Sequence, residues 1–364
     1  MPPLLLLTST LLLLSASSFA ATIGVTYNPS LPNLPPPERV ASTLQSLRIP
    51  AVRLLDPSNR SAAALWLHSH VLPYHPRTHI SLISAGSDFT TTASTSAELL
   101  PAIRNLRLAL LDLGIRTISV STTFSFIDIM TTSFPPSAAE FQEPIGSLIV
   151  RPLLQFLDET NSSFLINLYP YNIFKIKSEI PVGFVLFQSN PFNFRDDDVT
   201  GARYRNLFDM MVDAIVAAMA VSGQENVPVI VTETGWPTGS EAEDAGNYAE
   251  MYLRGLITHL RSGSGTPLRK EGAAEAYVYE LFDEGIQRGT TNNSNGTSSE
   301  AAAGGKQWGI LYPNMTMKYR FRFSDGIRLY HPRLARLLAL IFLLIVYLHY
   351  WKEFLEILDI IFNG

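Results

Sequence analysis

From residue 22 onward, short apolar runs rich in β-branched residues alternate with longer segments whose apolar positions recur at helical spacing. The runs predict strands over residues 22–27, 51–55, 80–84, 117–121, 164–169, 227–232 and 275–282. The longer periodicity predicts helices over 37–47, 62–71, 96–113, 148–157, 204–221 and 245–261. Strand followed by helix, repeated this often, argues for a parallel sheet. No Gly-x-Gly-x-x-Gly or Walker-type loop is present to make it a nucleotide-binding fold. The natural expectation is a (β/α)8 barrel of the TIM type.

The strand count is one short of eight. A barrel packs its interior in layers drawn from alternate strands, so losing one strand breaks that parity. The gap falls after Asp56, where Val52-Arg53-Leu54-Leu55-Asp56 runs straight into the helix beginning near Ala62. One βα unit is expected to be missing there. The segment 204–221 carries apolar residues at helical spacing and reads as core packing.

Outside this alternation the character changes. Met1 to Ala21 is an apolar run ending in Ser18-Phe19-Ala20, which suits a signal peptide over residues 1–20, cleaved after Ala20. The Leu runs are short and broken by Thr8, Ser9 and Thr10, which weighs against the rival reading of a first transmembrane helix. Residues 21–326 then form the barrel domain. Residues 292–305 are a polar, Gly/Ala/Ser-rich insert that reads as a loop. Residues 327–364 make a hydrophobic tail whose apolar stretch, 337–351, is short for a span of about 20 residues. Ser324-Asp325-Gly326, a spacer of ten residues and this apolar stretch loosely match a lipid-anchor signal, but Lys352, Glu353, Glu356 and Asp359 beyond the stretch do not. Anchor signal, short membrane segment and aberrant tail stay open.

Composition removes several kinds of chemistry. The chain has 364 residues and no cysteine, which excludes disulfides, thiolate metal sites and cysteine catalysis. Its net charge of −5, with no concentration of Lys and Arg, leaves no footprint for nucleic acid. Sequons at Asn59, Asn161, Asn292, Asn295 and Asn314 suit a secreted glycoprotein. His68, His70, His75 and His79 cluster, but their spacing fits no familiar ligand set, and solvated or capping histidines are the simpler reading. Neither metal nor cofactor is expected.

The segment with the most specific chemistry is Val229-Ile230-Val231-Thr232-Glu233-Thr234-Gly235-Trp236-Pro237-Thr238. A hydrophobic strand ends in a single carboxylate, followed by a Gly-Trp-Pro turn. The C-terminal ends of strands build the active site of a parallel barrel, so Glu233 would face the cleft and Trp236 would offer a flat surface to a sugar ring. A strand-capping Glu is the structural alternative.

This stretch resembles the signature of the family 17 endo-β-1,3-glucanases, in which that Glu is the nucleophile. Other segments are similar to the same family in the same order. They are Ile23-Gly24-Val25-Thr26-Tyr27, Val52-Arg53-Leu54-Leu55-Asp56, Val120-Ser121-Thr122 and Ser133-Phe134-Pro135-Pro136-Ser137. Asn167-Leu168-Tyr169-Pro170-Tyr171, Tyr204 to Asp209, Leu281-Phe282-Asp283-Glu284 and Trp308 to Pro313 follow. The resemblance implies hydrolysis of internal β-1,3 bonds in a β-glucan, callose or fungal wall glucan, by a retaining mechanism with two carboxylates. It also implies a monomer, secreted to the cell exterior or wall or anchored at the plasma membrane through the tail, with a polysaccharide as its partner.

The family's acid stands in a Gly-Asn-Glu triplet, and the matching stretch here is Gly86-Ser87-Asp88. Asp88 therefore occupies the position of the general acid/base, with an arm shorter by about 1.5 Å. Ser87 replaces an amide that would bind the sugar. By resemblance Tyr27, Asn167, Tyr169 and Phe282 line the cleft, and Glu284 assists electrostatically. The altered acid and the missing unit keep a second expectation alive, a catalytically impaired β-glucan-binding barrel.

Overall fold

The computed structural model describes residues 20–31, 34–55, 63–86, 93–238, 245–283 and 307–323. The signal segment, the join at 56–62, Ser87, Asp88, Glu284, the polar insert and the tail lie outside the described residues. The elements in order are β1 (Thr22–Tyr27), α1 (Pro37–Ser46), β2 (Ala51–Leu54), α2 (Ala63–His70), β3 (Leu82–Ser84) and α3 (Ala93–Asp112). Then come β4 (Ser119–Ser121), β5 (Thr123–Ser125), α4 (Arg151–Glu159), β6 (Phe164–Asn167), β7 (Arg195–Asp196) and β8 (Arg203–Tyr204). The series closes with α5 (Leu207–Val221), β9 (Val229–Thr234), α6 (Ala245–Ser262) and β10 (Glu275–Val278). Several shorter helical turns lie between these elements.

Six strands form one parallel sheet in the order β2-β1-β10-β9-β6-β5. β3 and β4 form a separate parallel pair, and β7 with β8 an antiparallel one. Only Thr122 separates β4 from β5. Backbone bonds from Ala85 N to Ser121 O (2.8 Å) and from Thr123 N to Gly86 O (3.4 Å) carry the end of β3 onto this continuous rail. The wall thus runs from β2 round to β3, and among the described residues these two ends do not pair with each other. That is where the sequence places the missing βα unit.

Burial follows the same division. All six positions of β9 and all four of β6 are buried, as expected of parallel strands covered on both faces. β2 alternates instead, with Val52 37% and Leu54 65% exposed. Helix α5 has the apolar character expected of it, buried along most of its length. Asn206 caps its start, with Oδ1 accepting from Asp209 N at 2.8 Å, a bond that satisfies one of the open amides of the first turn.

Most boundaries shift by a few residues from expectation, and three of the shifts have a plain local reason. β9 starts two residues late because Pro228 has no N–H for the ladder; its carbonyl instead accepts from Phe164 N at 2.8 Å. The regular helix α4 begins at Arg151 behind a wider turn over Gly146–Val150, with Pro152 in its first turn. The strand expected over 275–282 leaves regular pairing after Val278. From there Leu281 N bonds back to Thr26 O (2.9 Å), while Glu280 exchanges backbone bonds with Trp308 and Ile310.

Candidate active site

β9 runs on to Thr234, two residues past its expected end, which places Glu233 within the ladder rather than beyond it. Glu233 stands opposite Asn167 of β6, and the amide of Leu168 donates to its carbonyl at 2.8 Å. On the far side of the wall Arg53 of β2 sits level with Thr26 of β1. The Arg53 guanidinium reaches across and bonds Glu233 Oε1. The Tyr169 hydroxyl donates to Oε2 at 2.8 Å. Burial, and then the neighbouring Glu233 charge, push the Tyr169 hydroxyl well above the usual phenol range, so it stays a donor. Both oxygens of a carboxylate that is only 7% exposed are therefore held. A charge at such depth needs partners of this kind.

Half-buried aromatic rings gather around this carboxylate. Tyr169 packs edge-on to Trp308 at 5.1 Å and to Tyr279 at 6.3 Å, and those two rings lie 6.1 Å apart. Gly235 makes the arrangement possible: a Cβ there would come within 2.5 Å of the Tyr279 carbonyl and 3.2 Å of the Trp308 ring. Tyr27, partly exposed, packs edge-on against Phe282 at 6.2 Å.

Other expected cleft residues are turned inward. Trp236 is 3% exposed and enclosed by Tyr171, Phe174, Tyr248 and Tyr252. Its indole is core, not a platform for sugar. The cause is tertiary packing: α6 supplies two of the enclosing rings, Tyr248 and Tyr252. Phe282 is likewise buried, and the Asn167 amide oxygen accepts from Thr232 Oγ1 at 2.8 Å, which fixes β6 to β9. Asp283, next to Glu284, is tied to Gly309 N (2.9 Å) and to the Lys318 ammonium.

The structure thus brings together Glu233, Tyr169 and Asn167, while Tyr27 and Phe282 pack against each other. Arg53, Tyr279 and Trp308 were assigned no role from sequence. Arg53 carried a signal, being a charge inside an otherwise apolar strand. Among the described residues no group of three or more His, Asp or Glu side chains could hold a metal ion. His70 stacks on Trp66 at 5.2 Å. No helix among the described residues is long and apolar enough to cross a membrane.

A deep carboxylate at the C-terminal end of a barrel strand, with flat rings beside it, is the arrangement expected of a sugar-binding site in an α/β barrel. Comparison with known proteins narrows the class. The model of the glycosyl hydrolases family 17 matches residues 41–323, and the chain belongs to that family of O-glycosyl hydrolases. It is 33% identical to glucan endo-1,3-beta-glucosidase 13 of Arabidopsis thaliana, over 89% of this chain and 68% of the relative. Identity to glucan endo-1,3-beta-glucosidase 12 of the same plant is 33%, over 84% of this chain and 60% of the relative. Among solved structures, CJP38, a beta-1,3-glucanase and allergen of Cryptomeria japonica pollen, superposes with a TM-score of 0.71 at 29% identity, covering 84% of this chain and all of that one. A plant beta-glucan endohydrolase gives 0.69 at 29% identity, covering 82% and 99%.

Proposed function

We propose that the chain hydrolyses internal β-1,3-glucosidic bonds of a β-glucan with retention of configuration, Glu233 acting as nucleophile and Asp88 as general acid/base. The observation that carries this reading is the pair of bonds on Glu233. A carboxylate must be charged to attack, and a guanidinium in contact favours the charge. Arg53 and Tyr169 also fix the carboxylate plane, which limits the orientations lost on reaching the transition state. In the first step Glu233 bonds to the anomeric carbon as the leaving oxygen takes a proton from Asp88. In the second, water deprotonated by Asp88 displaces Glu233. Two inversions give retention, and they require carboxyl groups about 5–5.5 Å apart.

Tyr169, Tyr279 and Trp308 supply apolar faces and hydroxyl or indole N–H groups suited to sugar rings. Secretion and a wall or membrane-surface location accompany this reading, and the five sequons and apolar N-terminus support them. The test is turnover of a soluble β-1,3-glucan. Glu233→Gln should lower it more than about 1,000-fold while leaving the fold intact. Undiminished turnover would reject Glu233 as nucleophile.

A second reading, a β-glucan-binding barrel with little turnover, is favoured by one observation: the open flank between β2 and β3, where Leu54 faces solvent. β3 leads in sequence toward Asp88, and an acid displaced by about 1 Å can cost about 100-fold. Polymer retention with turnover insensitive to Asp88→Asn would favour this reading.

A further inference from the structure

A cavity of about 910 Å³ lies between the loop at 187–193 and one face of α6. That is within the usual size range of ligand sites. The helix presents Met251, Arg254, Gly255, Thr258, His259 and Ser262 to it, spaced three or four apart as one face of a helix must be. The Phe187 ring makes an apolar floor. It rests on Gly255, where a Cβ would come within 2.9 Å of it.

The opposite wall is built from amides. Asn193 Nδ2 bonds the Gln188 carbonyl (3.1 Å), Gln188 Nε2 the Leu186 carbonyl (3.1 Å), and Asn190 Oδ1 accepts from Phe192 N (3.0 Å). These bonds brace the loop while each amide keeps a further donor or acceptor. Arg203 lies over the Phe194 ring at 4.2 Å and Arg205 at 5.7 Å, steadying the loop's far end. Among the described residues no Asp or Glu lines the cavity. His259 is bonded to Asp209 (2.7 Å) and Arg254 pairs with Glu250 (3.7 Å), and Arg205 adds a cationic donor to the polar wall. The Phe192 ring, 84% exposed, stands at the lip.

An apolar floor, amides with both hydrogen-bonding senses, hydroxyls and arginine donors form the surface that a neutral oligosaccharide requires. The cavity is not the cleft. Fully buried Tyr252 stands between them, its ring 5.9 Å from Phe187 and its hydroxyl 2.6 Å from that of Thr234, next to Glu233. The geometry points to an accessory binding site for β-glucan oligosaccharide, which holds a second stretch of polymer away from the bond being cut. The ligand class rests on the function proposed above; the site itself does not.

The test uses the full chain as Glu233→Gln, with and without Thr258→Trp to fill the cavity, in sedimentation with insoluble β-1,3-glucan. Filling should weaken retention at least fivefold, and in the Glu233 background it should leave turnover of a short soluble β-1,3-oligosaccharide unchanged. The surface double variant Asn190→Ala, Arg205→Ala should weaken retention in the same direction, which keeps the test valid if the tryptophan disturbs folding. Retention unaffected by both variants would overturn the site. Binding of polygalacturonate in preference to the neutral glucan would overturn the ligand class. Absence of turnover in the parent chain would count against the cleft reading alone, because retention is read separately.

Discussion

The two flanks of the sheet are built to different standards. On one side β6, β9, β10 and β1 pair continuously, and Glu233 sits among them with both oxygens held by Arg53 and Tyr169. On the other side β2 has a partner in β1 alone among the described residues, and Leu54 is 65% exposed at a position where a closed barrel would cover it. β3, which leads to Asp88, pairs only with β4. Glu233 therefore stands on a continuously paired scaffold, while β3, from which the chain runs on to Asp88, belongs to a separate pair. The proposed two-carboxylate reaction depends on one separation, so under that proposal the less continuously paired flank sets the limit. Arg53 sharpens the dependence, because this partner of Glu233 comes from the edge strand itself.

Substitutions on the closed side should cost the most. Trp236→Ala removes a large ring from a full aromatic cluster and should destabilise by about 3–5 kcal/mol, seen as a lower thermal midpoint. KM for short oligosaccharides should hold; a large rise in KM with an unchanged midpoint would return Trp236 to the cleft.

The same side buries Asp213, bonded by Thr266 Oγ1 and by Leu268 N at 2.8 Å. Burial outweighs these bonds and raises its pKa to about 6. For a carboxyl raised on folding, the stabilising contribution is complete below the unfolded pKa of about 4 and is lost as pH rises through 6. The parent should therefore lose up to about 3 kcal/mol relative to Asp213→Asn between pH 4 and pH 7, measured by denaturant unfolding at each pH. A pH-independent difference would show that Asp213 stays charged throughout.

On the open side the sharpest probe is Asp88→Glu, which restores the arm length of the family acid. Turnover should rise roughly 10–100-fold if reach is what limits the reaction. A fall would mean that the loop has readjusted to the shorter side chain. The smallest effect belongs to Leu54→Ser, expected to change stability by less than about 0.5 kcal/mol because the side chain is already in water. A cost near 2 kcal/mol or more would show that the edge is covered in solution, and the contrast between flanks would fail.

Much of this was legible in the sequence. The strand–helix alternation located seven of the eight wall strands and missed β5, since continuous apolar runs in β6 and β9 leave little ambiguity, and the shortfall after Asp56 matches the unpaired boundary between β2 and β3 among the described residues. Glu233 was legible because a lone carboxylate closes an apolar run. The orientation of Trp236 was not, because a strand-end indole can turn toward a cleft or toward a helix, and only the arrival of Tyr248 and Tyr252 on α6 decides it. The bond between Arg53 and Glu233 joins residues 180 positions apart, which no local pattern encodes. Tyr279 and Trp308 were similarly hidden, since they meet only after the chain leaves β10 and returns beyond the polar insert.

The most direct test is covalent. A β-1,3-oligosaccharide fluorinated at C2, with an activated leaving group, slows breakdown of the glycosyl–enzyme and allows the attacked residue to be found by peptide mass analysis. The sugar should be found on Glu233, in the peptide containing Thr232-Glu233-Thr234. Attachment to any other carboxylate, or turnover that inverts the anomeric centre, would contradict the account.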